Sequence, residues 1–150
     1  MNEFLVSFRQ DIEKLWDEKT CSPKFLPIDI NNPAAGQCAP TSKLLLDELH
    51  MQYPERRFSH AIGKVYKNDE IVIDYHLWVV ELCESPKDTI VIDVTGDQSG
   101  TLPKVICNNI VKLLDEGICY VAYDISDTSE FMHGESIVRA QILKERYATR

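Results

Sequence analysis

The chain has 150 residues, of which 44% are hydrophobic and 27% charged, values typical of one globular domain with its own core. Its formal net charge is −8. Phosphate backbones and anionic membrane surfaces repel such a chain, so we exclude nucleic acid and membrane as partners. The five cysteines are widely spaced without a CxxC pair, which excludes a zinc knuckle and a disulfide framework.

The first predicted element is an amphipathic helix over residues 3 to 16, where apolar side chains recur at helical spacing between charges. This segment carries acids where a signal peptide carries lysine or arginine, and no apolar stretch approaches the roughly 18 residues of a membrane span. We therefore expect a cytoplasmic protein with one domain, residues 1 to 150. Residues 17 to 36 lack periodicity and contain three prolines, so they are either the wall of a binding site or an ordinary irregular connection.

The segment "GQCAPT" precedes a leucine-rich run that is typical of a helix. Proline is tolerated only in the first helical turn, so Pro40 predicts that this helix begins within about a turn of Cys38. A helix N-terminus stabilises a thiolate through its unpaired N–H groups and the positive end of its dipole. Cys38 is therefore a candidate nucleophile, and the alternative is a buried structural thiol.

Three strands are predicted next, over residues 60 to 67, 71 to 82 and 89 to 95, with connections short enough for antiparallel hairpins. Alternation places His76 on one strand face with Val72, Asp74, Trp78 and Val80. A histidine among apolar residues needs a polar partner.

Asp93 poses the same problem on the following strand, because valine and isoleucine flank it. If the two strands are neighbours, directly opposed side chains have Cβ atoms about 5 Å apart, and Asp93 can orient the His76 imidazole. The imidazole can then take the proton of Cys38, as in a nucleophile, base and orienter triad. Asp74, on the same predicted strand face as His76, is the rival orienter.

The last third of the chain is predicted to contain a helix over residues 103 to 116 that ends at Gly117, a strand over 118 to 125, and a helix over 135 to 147. In the last helix we expect five apolar side chains to face inward: Ile137, Val138, Ala140, Ile142 and Leu143. Together with the earlier elements, this pattern predicts an α+β fold, with helices packed on an antiparallel sheet.

Four motifs carry a resemblance to a known group of proteins: "LWDEKTC", "NPAAGQCAPT", "HLW" and "VIDVTGDQ", in this order within residues 15 to 100. The chain resembles the YunG-like family of small bacterial proteins and, more broadly, the transglutaminase-like and papain-like superfamily of thiol enzymes. The resemblance implies a papain-like core, with the nucleophile at a helix N-terminus packed on an antiparallel sheet. Residues 100 to 150 do not share it.

The resemblance implies Cys38 as nucleophile, His76 as general base and acid, and Asp93 as orienter. We assign the oxyanion hole first to the backbone N–H of Cys38 and then to the side chain of Gln37. Three further residues are placed around the substrate cleft by their position in the motifs: Trp78, Asp97 and Gln98. Trp78 shields the ion pair or belongs to the core, and Asp97 and Gln98 line the cleft mouth or cap a turn.

Three functions are compatible with these residues. The first is a cysteine hydrolase or acyl transferase that attacks an amide, ester or isopeptide carbonyl in a peptide, protein or small amide, a chemistry that needs no cofactor or metal. The second is a peptide or protein-binding module without catalysis. The third is a redox sensor in which Cys38 is oxidised reversibly and Cys21 is the resolving thiol.

Overall fold

Three long helices and a five-stranded sheet form most of the molecule in the computed structural model, which describes residues 1 to 150. The helices are α1 (Asn2–Glu13), α2 (Cys38–Gln52), the short α3 (Ile110–Asp115) and α4 (Glu135–Ala148). The strands are β1 (Phe58–Lys67), β2 (Glu70–Glu81), β3 (Ile90–Asp93), β4 (Ile106–Asn109) and β5 (Ile118–Ser126). None of the helices combines the length and the apolar composition needed to cross a membrane.

All neighbouring strands of the sheet are antiparallel, in the order β4-β3-β2-β1-β5. The predicted α+β class with an antiparallel sheet is therefore confirmed. The six-residue helix α3 contacts both edge strands, β4 and β5. The hydroxyl of Tyr120 on edge strand β5 lies 2.6 Å from the carboxylate of Asp93 on β3, three strands away and about 14 Å in a flat sheet, so the sheet is curved.

Successive side chains of each strand point to opposite faces, and this alternation divides the core in two. Val79 and Ile92 pack with the leucines of α2 and with Leu5, Phe8 and Leu143 on the face covered by α1, α2 and α4. Val80 and Val91, their chain neighbours, pack on the concave side with Trp78 and Tyr120. The first of these clusters holds α2 against β2, and this positions the start of α2.

The helix predicted over residues 103 to 116 is wrong in its first half. Ile106–Asn109 forms strand β4, which pairs with β3 so that Ile106 is opposite Asp93 and Cys107 is opposite Ile92. The helix begins only after Asn109, whose side chain accepts a hydrogen bond from the Val111 N–H at 2.8 Å. Asparagine is a poor helix-interior residue and a good N-cap, and sheet pairing decides the remaining residues.

The prediction for the inward face of α4 is also partly wrong. Leu143 and Ala140 are buried, as expected, whereas Ile137 and Val138 are 52% and 59% exposed. The buried stripe continues instead to Tyr147. Each helical residue turns about 100°, so Val138 lies about 200° from Ala140 and points away from the sheet.

Candidate active site

Cys38 is the first residue of α2, which confirms the position predicted from Pro40. Its thiol is nearly buried, with 8% of the residue exposed. The backbone N–H of Cys38 makes no hydrogen bond within the chain, whereas the N–H of Thr41 bonds to the Gln37 carbonyl at 3.2 Å. The first turn therefore leaves an unpaired N–H donor beside the thiol.

Gly36 allows the loop before Cys38 to approach the segment after Cys21. Its φ is +80°, and a Cβ at this position would lie 2.7 Å from the Cys21 sulfur and 2.9 Å from the Phe25 Cβ. The Cys21 thiol lies 3.4 Å from the carbonyl of Ala35 and donates to it. Burial raises the pKa of the Cys21 thiol, so this residue is held as a neutral packing group behind the loop.

His76 comes from β2 and is fully buried. Its Nε2 lies 2.7 Å from Oδ2 of Asp93. The Trp78 ring stacks on the imidazole, with centroids 5.9 Å apart and an interplanar angle of 21°. Because Nε2 faces Asp93, Nδ1 is the nitrogen left for other groups, and Cys38 lies close enough to the ring to raise the pKa of the imidazole.

Asp93 is 1% exposed and is satisfied by four donors. Besides His76, Oδ2 accepts the hydroxyl of Tyr120 at 2.6 Å. Oδ1 accepts the backbone N–H of Thr95 at 2.9 Å and its hydroxyl at 3.3 Å. Gly96 is required beside this carboxylate, since a Cβ there would lie 2.7 Å from Oδ2.

The strand register differs from the directly opposed pairing that we expected for His76 and Asp93. Val79 is opposite Ile92 and Val80 is opposite Val91, so one step further Asp93 lies level with Trp78. His76 is therefore the diagonal neighbour of Asp93, a separation that long side chains still bridge. The 2.7 Å hydrogen bond is made along this diagonal.

The charges of the buried pair reinforce one another. Burial opposes protonation of His76, but the Asp93 carboxylate and its hydrogen bond, followed by Cys38, raise the pKa of the imidazole to about 10. Burial also opposes ionisation of Asp93, and His76 outweighs it with help from Tyr120 and Thr95, so the pKa of this carboxyl is lowered. The pair is therefore an imidazolium and a carboxylate near neutral pH.

Asp74 does not lie on the face of His76, contrary to the alternation of β2. Gly63 pairs with His76 and Val65 with Ile73, so two residues of β2, Asp74 and Tyr75, lie opposite one residue of β1. This bulge reverses the alternation. The Asp74 side chain is 81% exposed and lies 3.4 Å from the ammonium group of Lys64, so it points away from the imidazole.

Three of the proposed cleft residues have structural positions instead. The Gln37 side chain is buried and donates to the Asp17 carbonyl at 3.3 Å, so it does not face the cleft or an oxyanion. Asp97 forms a bidentate ion pair with Arg9, with N–O distances of 2.7 and 2.9 Å. Trp78 is 1% exposed and does not line the cleft, so it shields the imidazole from within the core.

Gln98 is the proposed cleft residue that reaches His76. Its amide nitrogen lies 2.7 Å from Nδ1 of His76, and the side chain lines the same cleft as Cys38. A neutral imidazole accepts from this amide nitrogen, and an imidazolium donates to the amide oxygen once the amide turns by 180°. Asn32, from the "NPAAGQC" motif, donates to the Gln98 carbonyl at 2.8 Å and fixes its backbone.

Arg9, Tyr120 and Arg139 contact or line the site without having been predicted. Arg9 is 2% exposed and also donates to the Val94 carbonyl at 2.7 Å, so it anchors the loop that leads to Gln98. The alternation of β5 marks Tyr120 as inward-facing, but its partner is 27 residues away. No local signal identifies Arg9 or Arg139, because each is one charged residue on an amphipathic helix.

The cleft has a volume of about 360 Å³, within the range of small-ligand sites. Residues of five chain segments line it: Ser22, Lys24, Phe25, Gly36, Cys38, Ala39, Val72, Ile73, Asp74, Tyr75, Gln98 and Arg139. The segment after Cys21 therefore forms one wall, as the site-wall interpretation of residues 17 to 36 expected. No group of three or more histidine, cysteine, aspartate or glutamate side chains is arranged to hold a metal ion.

The arrangement brings an imidazole and a carboxylate into hydrogen-bonding contact near a thiol that lines an open cleft, with an unpaired N–H beside the thiol. This is the set of groups that nucleophilic acyl transfer requires. No protein-family model, no curated protein and no solved structure matches the chain.

Proposed function

We propose that the protein is a cysteine-dependent hydrolase or acyl transferase that cleaves an amide, ester or isopeptide bond through an acyl-cysteine intermediate. One observation carries the proposal: the buried His76–Asp93 pair, 2.7 Å apart, lies near a thiol on the first residue of a helix, close enough for Cys38 to raise the pKa of the imidazole. An imidazolium next to the thiol favours the thiolate, which is the nucleophilic form.

In the first half of the reaction, the Cys38 thiolate attacks the carbonyl carbon of the substrate, and the carbonyl electrons move to its oxygen. The tetrahedral intermediate then collapses, the bond to the leaving amine or alcohol breaks, and the imidazolium of His76 gives that leaving group its proton. The products are an acyl-cysteine, the free amine or alcohol and a neutral imidazole.

In the second half, neutral His76 takes a proton from water, and the resulting hydroxide attacks the thioester carbon. The carbon–sulfur bond breaks, the carboxylic product leaves, and the thiolate and imidazolium are restored. An acceptor amine in place of water makes the same sequence an acyl transfer. Asp93 remains ionised throughout and stabilises the imidazolium.

The oxyanion of the tetrahedral intermediate needs donors that are already in position. We assign the unpaired backbone N–H of Cys38 as the first donor and the side-chain amide of Gln98, rather than that of Gln37, as the second. Gln98 is suited to this role because Asn32 and the Arg9–Asp97 pair hold its loop on both sides.

We further infer a papain-like or transglutaminase-like core and membership of the YunG-like family. The inference is supported by the order of Cys38 at a helix start, His76 on β2 and Asp93 on the adjacent β3, with the helix packed on an antiparallel sheet. Two of the sequence motifs also contact each other: the indole of Trp16, from "LWDEKTC", donates to Thr41, from "NPAAGQCAPT", on α2 at 2.9 Å.

The test is alkylation with iodoacetamide across pH, followed by peptide mapping of all five cysteines. We expect selective labelling of Cys38 that persists below neutral pH, at least ~10-fold faster than labelling of the exposed Cys83. His76→Gln and Asp93→Asn should shift the midpoint of the Cys38 pH profile upward. Asp74→Asn is the matched control and should leave the profile unchanged.

Three results would contradict the proposal. Even labelling of the exposed cysteines with a protected Cys38 would favour a binding module that uses the same cleft. If Asp93→Asn does not alter the selective labelling of Cys38, Asp93 is not the orienter of His76. A Cys21–Cys38 disulfide formed reversibly under mild peroxide, without turnover of any amide or ester, would favour the redox sensor.

A further inference from the structure

Arg139, on α4, is a partly buried cation without a partner. Its side chain lines the Cys38 cleft and also the adjoining cavity that contains Ala39 and Tyr75. The guanidinium makes no hydrogen bond or ion pair within the chain, and its Nε is buried without an acceptor. A buried donor left unpaired costs about 1 to 3 kcal/mol, so a ligand that supplies the acceptor recovers that free energy.

Arg139 differs from the other arginines of the chain, which are either paired with a carboxylate or exposed. Four of them pair with a carboxylate: Arg9, Arg56, Arg146 and Arg150. Arg57, which has no partner, is exposed and remains hydrated. The chain holds 24 acidic residues against 16 basic ones, so acids that could neutralise Arg139 are abundant, and none is placed to do so.

The remaining charges of the cleft favour an anion. Lys24, on the opposite wall, is exposed and has no ion pair. Asp74 is the acidic lining residue, and Lys64 lies 3.4 Å from its carboxylate. The cleft therefore presents unneutralised positive charge in a chain whose net charge is −8.

We propose that Arg139 is the specificity residue of the site and binds a carboxylate of the acyl substrate, such as an acidic side chain or a C-terminal carboxylate of a peptide. The proposal rests on the proposed function, because it names the substrate class of the same cleft. One planar guanidinium fork binds one carboxylate through two parallel hydrogen bonds.

The test compares two thiol reagents of equal shape, bromoacetyl-β-alanine and its neutral amide. In both, the Cys38 thiolate attacks the bromomethyl carbon, a sulfur–carbon bond forms and bromide leaves. We expect Cys38 to prefer the carboxylate reagent by about 10-fold over the amide, when the exposed Cys83 serves as internal reference. Arg139→Gln should abolish the preference, and Arg139→Lys should retain part of it. Arg57→Gln, the matched control, should have no effect.

A ratio near one that Arg139→Gln does not change would overturn the inference. The proposed function still stands in that case, provided that the neutral reagent labels Cys38 selectively. If neither reagent labels Cys38, the proposed function fails, and the anion site is tested by itself in the Cys38→Ser protein. There, glutarate should shift the Arg139 Nε–H resonance while glutaramide should not, and an unchanged resonance with glutarate would overturn the inference.

Discussion

Replacing Asp93 with asparagine in a Cys38→Ser background isolates the charge that keeps His76 protonated. Without the thiol, Asp93 is the acidic group that remains to charge His76. The charge and the hydrogen bond of Asp93 also raise the pKa of His76 more than Cys38 does, so Asp93 is the main source of the raised pKa in this background. Asparagine keeps the size of the side chain and removes its negative charge.

The magnitude follows from proton linkage. The pKa of His76 is about 10 in the folded wild-type protein and near 6.5 in the unfolded chain, so between these values the folded state binds one proton more. Stability from this group is therefore fully present below 6.5 and is lost as pH rises toward 10. One proton corresponds to about 1.4 kcal/mol per pH unit, so the free energy of unfolding should fall by at most about 2 to 3 kcal/mol between about pH 7 and pH 9 in the Cys38→Ser parent, which lacks the contribution of Cys38 to the raised pKa.

In Cys38→Ser/Asp93→Asn this fall should largely disappear, because burial then dominates and the pKa of His76 drops below its ordinary value. The measurement is urea denaturation at several pH values, combined with NMR titration of the His76 ring. Cys38→Ser/Asp74→Asn is the control and should keep the slope of the parent. Equal slopes with and without Asp93 would refute the assignment of this carboxylate as the partner that charges the imidazole.

Three further predictions concern single substitutions. Cys38→Ala should lower the free energy of unfolding by less than about 1.5 kcal/mol in denaturant titration, because the small thiol at a helix start fills little core volume. A loss above about 3 kcal/mol would show that Cys38 is a packing residue. Tyr120→Phe removes the hydroxyl that donates to Asp93 at 2.6 Å, and it should lower the free energy of unfolding by about 1 to 2 kcal/mol in the same titration. It should also slow iodoacetamide labelling of Cys38. An unchanged labelling rate would show that this hydroxyl contributes to stability alone. Gly36→Ala places a Cβ 2.7 Å from the Cys21 sulfur at a φ of +80°. Calorimetry should therefore show a lower Tm, and iodoacetamide labelling of Cys38 should slow. An unchanged Tm and labelling rate would contradict the close packing of this loop.

Local chemistry in the sequence was sufficient to predict that Cys38 lies at the start of a helix. Pro40 restricts where α2 can begin, and the restriction acts within one turn, so the position of Cys38 follows without any knowledge of tertiary structure. Apolar alternation likewise predicted the strands that carry His76 and Asp93 and the need of both for a buried partner. These inferences hold because each depends on neighbours only a few residues away.

Local reasoning could not predict the elements whose secondary structure or side-chain direction depends on residues far away in the sequence. Residues 106 to 109 have an apolar pattern that suits a helix, and pairing with β3 makes them a strand. The bulge opposite Lys64 sends Asp74 to solvent, although strict alternation places it beside His76. A shift of one residue moves a side chain to the other face of a sheet, so register decides which carboxylate serves the base.

The supporting residues of the site were decided by tertiary structure alone. Arg9 holds Asp97 from 88 positions away, Tyr120 reaches Asp93 across 27 positions, and Arg139 enters the cleft from the last helix. The sequence by itself determined which residue types need partners, since the cost of burying an unpaired polar group is a local property. Which partner satisfies each need was decided by chain folding, because the candidates are equivalent until the sheet register and helix packing bring one of them within hydrogen-bonding distance.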